Sequence, residues 1–288
     1  MSNKIKILLE LTKIRITSFV TVTTFLGYVL YSHSLQIEML IPLFGTLFLA
    51  CGSAVFNHYQ ERSYDSLMQR TQQRPIPSGR ISPGNTLLIG SLLSVTGASI
   101  LFFGSGLLPF ILGIIALIWY NLIYTPMKRK NPFAVVPGSL IGAIPPMIGW
   151  TAAGGYVFDL QILVVAFFFF IWQIPHFWLL MLFFDEDYKR AGFPTLSNIF
   201  SSEQISRITF IWMMAIAVAC IGLPLFRIVN SQLINFGLVL TASWLMWHAV
   251  KLLIHGKENF NLMLAFKGIN IFALTVIILL SLDNLLLK

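Results

Sequence analysis

The chain has 288 residues, of which 57% are hydrophobic and only 10% carry a charge. A soluble domain carries about 25% charged residues, so the composition excludes an ordinary soluble protein and predicts an all-α protein that crosses a lipid bilayer many times. The formal net charge of +8 comes from basic residues between the apolar runs, a distribution that indicates how the chain is oriented in the membrane. We therefore expect no nucleic-acid partner.

Apolar runs near the ~20-residue length needed to cross a bilayer follow one another along the whole chain. We therefore expect a single membrane-embedded domain over residues 1–288 with nine transmembrane helices. The runs cover approximately residues 16–34, 40–58, 86–104, 107–125, 133–152, 160–183, 206–226, 231–251 and 267–286.

The basic residues are distributed unevenly between the two sets of connections. With the N-terminus inside, all but two of the 19 lysines and arginines fall inside, the exceptions being Arg227 and Lys288. The positive-inside rule therefore predicts a cytoplasmic N-terminus and an outside C-terminus. The N-terminal stretch lacks a cleavage site and a transit-peptide composition, which favours a bacterial inner membrane. Cys51 and Cys220 predict neither a disulfide framework nor a thiolate metal site.

The end of the second span carries three oxygen-bearing side chains, Asn57, Glu61 and Asp65, which we call the oxygen column. Their spacing of four residues places them on one face of a helix that we expect to continue to about Met68. Amide and carboxylate oxygens suit Mg²⁺, which proteins hold with one or two carboxylates plus a substrate phosphate. The alternative is a solvated polar face that closes the helix, but acidic residues at a membrane boundary favour a functional site.

Basic side chains near the oxygen column predict partners for such a phosphate. Arg62, Arg70 and Arg74 follow in the same loop, and Lys128 and Arg129 follow the fourth span on the same side of the membrane. The alternative for the second pair is a stop-transfer cluster, which fits any inside loop.

Two further features predict a cavity beneath these charges. Tyr120, Asn121 and Tyr124 share a face of the fourth span, and we expect them to line it. Pro145 and Pro146 predict that the fifth span is broken, which membrane proteins tolerate where the backbone lines a cavity.

A second polar site is predicted at the end of the sixth span. His176 and Asp187 are eleven residues apart, close to three helical turns, so they share a face if the helix continues. Asp187 is the first choice of metal ligand, with Asp185 or Glu186 as substitutes. The alternatives are a solvated charged turn and, for His176, a histidine hydrogen-bonded within the bundle.

The loops after spans two and six have the same order of parts, with acidic residues, then basic residues, then Gly and Pro. This order indicates an internal duplication of a four-helix unit, roughly residues 16–125 and 133–251, followed by a ninth helix.

Three strings resemble signatures of the UbiA superfamily of intramembrane prenyltransferases. The first is NHYQERSYDSLMQRTQQRP from Asn57, whose Met-x-Arg-Thr-x-x-Arg-Pro ending is similar to the heme-farnesylating branch of that superfamily. The others are YT with KR and GAIPP from Tyr124, and WQIPHF with DY from Trp172. The resemblance extends from about residue 10 to residue 285.

The resemblance implies a nine-helix UbiA-like bundle that uses Mg²⁺ to transfer a farnesyl group from farnesyl diphosphate to a vinyl group of heme B. The oxygen column would be the first metal-diphosphate motif and Asp187 the remnant of the second, because Phe183 stands where the superfamily usually has an aspartate. His176 would orient the heme or move a proton. A downstream heme A synthase or terminal oxidase would receive the product.

Two other functions remain open from the residues alone. One is a superfamily relative that prenylates an aromatic quinone precursor. The other is a heme-binding membrane transporter in which the oxygen column is an ion path, although such a path places ionisable groups near the midplane of the membrane.

Overall fold

The computed structural model describes residues 3–259 and 262–286, within which all regular secondary structure is helical. Nine helical segments of this part of the chain are long and apolar enough to cross a membrane, which confirms the expected fold. Lys288, one of the two basic residues counted outside, lies beyond the described residues. The segments are Ile14–Ser32, Ile37–Asp65, Pro83–Ser105, Leu107–Met127, Pro132–Ala152, Leu160–Phe183, Ser202–Phe226, Gln232–Ile254 and Leu262–Leu286.

The spans are built from α-helices with short 3-10 pieces, and the fourth span contains a π-helical piece at Trp119–Tyr124. The α-helices in chain order are α1 (Asn3–Leu11), α2 (Ile14–Ser32), α3 (Leu40–Asp65), α4 (Pro83–Ser105), α5 (Leu107–Ile118), α6 (Thr125–Met127), α7 (Val135–Gly138), α8 (Leu140–Ala152), α9 (Leu160–Phe183), α10 (Asp185–Arg190), α11 (Ser202–Gly222), α12 (Gln232–Asn259) and α13 (Leu262–Leu286). The proposed duplication of residues 16–125 and 133–251 stays a prediction.

Small residues let α2 and α8 approach closely at the centre of the bundle. A Cβ atom on Gly149 would lie 1.9 Å from the carbonyl oxygen of Thr24, and one on Gly27 would lie 1.9 Å from that of Pro146. Close packing of this kind holds membrane helices together. Burial of apolar surface does not favour their association, because lipid is as apolar as the helix surface. The fifth span is thereby fixed against the first.

The interruption of the fifth span lies at Ser139, so the predicted break at Pro145 and Pro146 is wrong in position. Ser139 separates α7 from α8, and both prolines lie inside α8. A proline inside a helix removes its own backbone donor and crowds the carbonyl four residues earlier, and in membrane proteins neighbouring helices support a helix that lacks such bonds.

The helix that carries the oxygen column ends sooner than the sequence indicated, and the sixth span ends at the predicted residue. The second span ends at Asp65 instead of continuing to about Met68. The sixth span ends at Phe183, and Phe184, with φ −106° and ψ 25°, leaves the helical conformation before α10 begins. His176 and Asp187 therefore do not share one continuous helix face.

A large apolar core fills the other half of the bundle, between α9, α11, α12 and α13. Phe168, Phe169 and Phe272 are among its largest fully buried side chains. This core supports one side of α9, and the opposite side of α9 faces the polar site.

Candidate active site

A cavity of about 270 Å³ opens between α2, α3, α5, α8 and α9. One end is charged and the remainder is mostly apolar. The charged end is lined by Lys13, Asn57, Glu61, Asp65, Arg70, Arg74 and Lys128, and the deeper wall by residues that include Ile16, Val20, Thr46, Leu49, Ala50, Ala54, Gly113, Leu117 and Ile148.

The oxygen column lies on α3 as the sequence predicted, with all three side chains in the cavity wall. Asn57, Glu61 and Asp65 are only 1%, 4% and 0% exposed. A buried carboxylate is costly unless it is paired or binds a ligand, so a solvated polar face is not the explanation of this pattern.

Each carboxylate of the column pairs with a basic side chain that was predicted to bind phosphate. Nη1 of Arg74 contacts both carboxylate oxygens of Asp65 at 2.8 and 2.9 Å, and Nζ of Lys128 pairs with Oε1 of Glu61. Burial alone would lower the pKa of Lys128, but the Glu61 carboxylate outweighs it, so this pKa lies above its ordinary value. Lys128 therefore stays charged at the mouth of the cavity.

Asn57 has a basic partner in Lys13, which the sequence indicated only as one of the inside basic residues. Nζ of Lys13 donates to Oδ1 of Asn57 at 2.8 Å, and Nδ2 of Asn57 donates to Thr125. Lys13 adopts a left-handed conformation with φ 49° at the break between α1 and α2. The pKa of Lys13 is lowered to about 7, mainly by its removal from bulk water and secondly by repulsion from Arg74. The sequence signal that could have identified Lys13 as a site residue is its position immediately before the first span.

Arg70 completes the charged end. Its guanidinium lies over the ring of Phe184, 4.5 Å from the ring centroid, and also lines the cavity. We call Lys13, Arg70, Arg74 and Lys128 the basic cluster. Arg70, Arg74 and Lys128 outnumber the two carboxylates of the oxygen column even without the amine of Lys13, so the charged end carries an excess of positive charge suited to a polyanion.

The structure does not bring Arg62 and Arg129 to the cavity. Nη1 of Arg62 donates to the carbonyl oxygen of Tyr59 in an exposed contact, because one step along a helix turns the side chain by about 100° from Glu61. Nη2 of Arg129 donates to the carbonyl oxygen of Gln60, so the expectation of direct phosphate contact does not fit these two arginines.

Tyr120 and Tyr124 line the cavity as expected, whereas Asn121 does not. Residues 119–124 form a π-helical turn, which changes the direction of side chains relative to an α-helix. Nδ2 of Asn121 donates to Oγ of Ser53 at 2.7 Å and to the carbonyl oxygen of Leu117 at 3.0 Å. Asn121 therefore joins two helices instead of facing the cavity.

His176 lies beside the cavity, between two aromatic rings. Its ring centroid is 4.7 Å from that of Trp172 and 4.9 Å from that of Phe266. The cavity is lined instead by its neighbours Gln173 and Phe177. The packing of His176 against α13 is that of a bundle histidine.

The acidic residues of α10 also lie outside the cavity lining. Asp187 accepts hydrogen bonds from the backbone of residues 69 and 70. Asp185 accepts from Oγ of Ser197, and Glu186 pairs with Lys189 at 3.5 Å. The expected second metal ligand is therefore engaged elsewhere.

The oxygen column by itself is an incomplete metal site. In the described ranges 3–259 and 262–286, no three His, Cys, Asp or Glu side chains come together as metal ligands. Two carboxylates and one amide on one wall leave positions for phosphate oxygens, which is the donor set that Mg²⁺ uses with phosphorylated substrates. The residues present fit an Mg²⁺ ion that shares its coordination with a substrate.

Known proteins share this sequence and this fold. The UbiA prenyltransferase family matches residues 20–271. A protoheme IX farnesyltransferase of Geobacter sulfurreducens is 38% identical over 72% of this chain and 76% of its own length. A protoheme IX farnesyltransferase of Aquifex aeolicus is 42% identical over 67% of each chain.

Solved structures with low sequence identity share the architecture. A structure of digeranylgeranylglyceryl phosphate synthase superposes with a TM-score of 0.79 at 16% identity, covering 98% of this chain and 99% of that one. A UbiA homologue from Archaeoglobus fulgidus bound to DMAPP and Mg²⁺ superposes with a TM-score of 0.73 at 13% identity, with the same coverage. Family match, relatives and fold agree, and the chain belongs to the UbiA prenyltransferase family.

Proposed function

We propose that this protein transfers a farnesyl group from farnesyl diphosphate to a vinyl group of heme B, which releases diphosphate and gives heme O. The observation that carries the proposal is the cavity, in which a cationic end continues into an apolar wall. An isoprenyl diphosphate has an anionic diphosphate at one end and an apolar chain at the other, so its two parts match the two parts of the cavity. The relatives named protoheme IX farnesyltransferase support heme as the acceptor.

The basic cluster is suited to bind the diphosphate and to stabilise its departure. Lys13, Arg74 and Lys128 each contact a member of the oxygen column. A diphosphate in the cavity offers these basic side chains a more highly charged anionic partner. Cations already positioned where negative charge develops lower the barrier to breaking the carbon–oxygen bond, typically by several kcal/mol.

We propose that the oxygen column holds Mg²⁺ together with the diphosphate. The donor set supports this assignment, as does the Mg²⁺ bound in the Archaeoglobus fulgidus homologue. When bound, Mg²⁺ supplies positive charge to the leaving diphosphate. Asn57, Glu61 and Asp65 would be its protein ligands in this chain.

The length of the apolar wall fits a farnesyl chain. Thr46, Ala50 and Ala54 continue the face of α3 that carries the oxygen column. At 1.5 Å per residue, Thr46 lies about 16 Å below Asn57 along the helix. An extended carbon chain advances about 1.2 Å per bond, so a farnesyl main chain spans about 13 Å. A geranyl chain would leave the deepest part of this wall unfilled.

The proposed reaction conserves atoms and charge. The bond between farnesyl C1 and oxygen breaks, and its electron pair leaves with the diphosphate. The terminal vinyl carbon of heme B bonds to C1, and water then adds to the inner vinyl carbon with loss of a proton, giving a hydroxyethylfarnesyl group. Tyr120, Tyr124 and Phe177 line this region, and aromatic faces attract an allylic cation. The apolar wall keeps water from it before capture.

In this proposal the charged end of the cavity lies at the cytoplasmic face of a bacterial inner membrane. The uneven distribution of lysine and arginine supports that orientation. The C-terminus is then outside, and a heme A synthase or terminal oxidase in the same membrane would receive the product.

Product identification tests the proposal. Membranes containing the protein are incubated with Mg²⁺, farnesyl diphosphate and either heme B or a hydroxybenzoate, and the products are identified by mass. We expect a farnesylated, hydrated heme and no prenylated hydroxybenzoate. Prenylation of the hydroxybenzoate alone would assign the chain to quinone-precursor synthesis, and heme binding without diphosphate release would indicate a transporter.

A further inference from the structure

Asp187 accepts two hydrogen bonds from successive backbone groups of the loop that follows α3. The N–H of Gln69 donates to Oδ1 at 3.2 Å, and the N–H of Arg70 donates to Oδ2 at 3.1 Å. Arg190 lies 3.5 Å from the same Oδ1 atom. Both carboxylate oxygens are therefore engaged by protein groups at the edge of the cavity.

These contacts hold a residue of the basic cluster. Arg70 is attached through its backbone to Asp187, and its guanidinium lies over the ring of Phe184, three residues earlier in the same segment. The side chain of Arg70 then lines the charged end of the cavity. Residues 184 and 187 thus contact both the side chain and the backbone of Arg70.

An apolar cluster joins the same two segments. Met68 and Phe193 are buried in it, with Tyr64 and Tyr188 packed against them. The ring centroids of Tyr64 and Phe193 are 4.9 Å apart. Apolar contacts are not directional, so this cluster brings the loop close to α10 without setting its register. The paired hydrogen bonds to Asp187 do set it, because they require two successive N–H groups.

We infer that Asp187 is a positioning residue whose carboxylate holds the backbone of Gln69 and Arg70, so that Arg70 faces the diphosphate, and that Asp187 is not a metal ligand. The inference rests on the proposed function for the identity of the anion that Arg70 meets. The contact between Asp187 and the loop involves protein groups alone, so it can be tested independently of the proposed function.

Hydrogen exchange tests the contact without substrate or metal. In Asp187→Asn the side chain keeps one acceptor oxygen and turns an NH₂ group toward the other backbone donor, so at most one bond survives. We expect exchange in residues 66–74 of the ligand-free protein to become roughly tenfold faster, because a bond to a charged group is lost. Asp187→Ala should give the same result.

Glu186→Gln is the matched control, because Glu186 lies on the same turn and its side chain is 84% exposed. Exchange in residues 66–74 should not change in this variant. Unchanged exchange in both Asp187 variants would overturn the inference.

Kinetics separate positioning from metal binding. For Asp187→Asn we expect KM for farnesyl diphosphate to rise roughly tenfold, while KM for heme and the Mg²⁺ concentration for half-maximal rate stay within roughly twofold. If Asp187 were a metal ligand, Asp187→Asn would instead raise the Mg²⁺ concentration needed for half-maximal rate. That rise, together with an unchanged KM for farnesyl diphosphate at saturating Mg²⁺, would overturn the inference. If the unaltered protein farnesylates no acceptor, the proposed function fails, whereas the exchange measurement still decides the role of Asp187 in holding the loop.

Discussion

The amine of Lys13 donates a 2.8 Å hydrogen bond to the amide oxygen of Asn57, a residue 44 positions later in the chain. This contact joins the break between α1 and α2 to the deepest member of the oxygen column. A left-handed conformation is unfavourable for lysine, so the backbone is strained at the residue that places this amine in the cavity wall. Every member of the column thereby has a basic partner from a different segment.

Replacing Lys13 should weaken use of the diphosphate substrate. We expect Lys13→Met to lower kcat/KM for farnesyl diphosphate roughly 10- to 100-fold, because the hydrogen bond that the amine would donate to the charged diphosphate is lost. Asn57 keeps its contact with Thr125, so the fold should persist. Steady-state kinetics in detergent measure the effect. Lys6→Met, an exposed position on α1, is the control and should leave kcat/KM unchanged.

Glu61 and Lys128 should be coupled in stability but not in activity. Glu61→Gln leaves the mostly buried Lys128 without its carboxylate, which we expect to cost about 3 kcal/mol and to lower the thermal midpoint by roughly 6 °C. Glu61→Gln/Lys128→Met should recover most of that loss, because both charges are removed. Thermal unfolding in detergent measures both variants.

Neither of these variants should form heme O, because the proposed site has lost a metal ligand. Asp65→Asn should also be inactive. Full activity in Glu61→Gln and Asp65→Asn would refute the metal role of the oxygen column, and a double variant no more stable than the single one would refute the ion pair.

Filling the deeper wall should change the preferred prenyl chain. Ala50 lies about 10 Å below Asn57 along α3, deeper than an extended geranyl chain of about 8 Å but not a farnesyl chain of about 13 Å. We therefore expect Ala50→Phe to reduce kcat/KM for farnesyl diphosphate at least roughly tenfold. The rate with geranyl diphosphate in the same variant is the internal control. An equal loss with both substrates would contradict the proposed position of the chain.

The close approach of α2 and α8 should make its glycines intolerant of a methyl group. Because a Cβ on Gly149 would lie 1.9 Å from a backbone oxygen, we expect Gly149→Ala to destabilise the protein by about 2 kcal/mol or more. Its thermal midpoint in detergent should fall accordingly. Gly84→Ala is the matched control, since nothing lies within 4 Å of its added Cβ. Equal midpoints would argue against the helix contact.

Much of the site was predictable because the relevant signals are local. Helical periodicity alone placed Asn57, Glu61 and Asp65 on one face, and they share one wall of the cavity. The same periodicity failed at Asn121, because a π-helical turn changes the angle between successive residues. For His176 and Asp187 the prediction required a continuous helix, and the helix is interrupted at Phe184.

The sequence by itself determined the membrane class, the number of spans and the face of α3 that carries the oxygen column, since hydropathy and helical periodicity depend only on neighbouring residues. Only the tertiary structure decided the pairings across the cavity. Lys13 meets Asn57 over 44 residues, and Asp187 meets Gln69 over 118. Such contacts depend on how helices pack and where their ends are redirected, which no local pattern encodes. Packing therefore brings Lys13, which was expected only to orient the chain, into the cavity wall, and it brings Asp187, which was expected to bind a metal, to the backbone of Arg70.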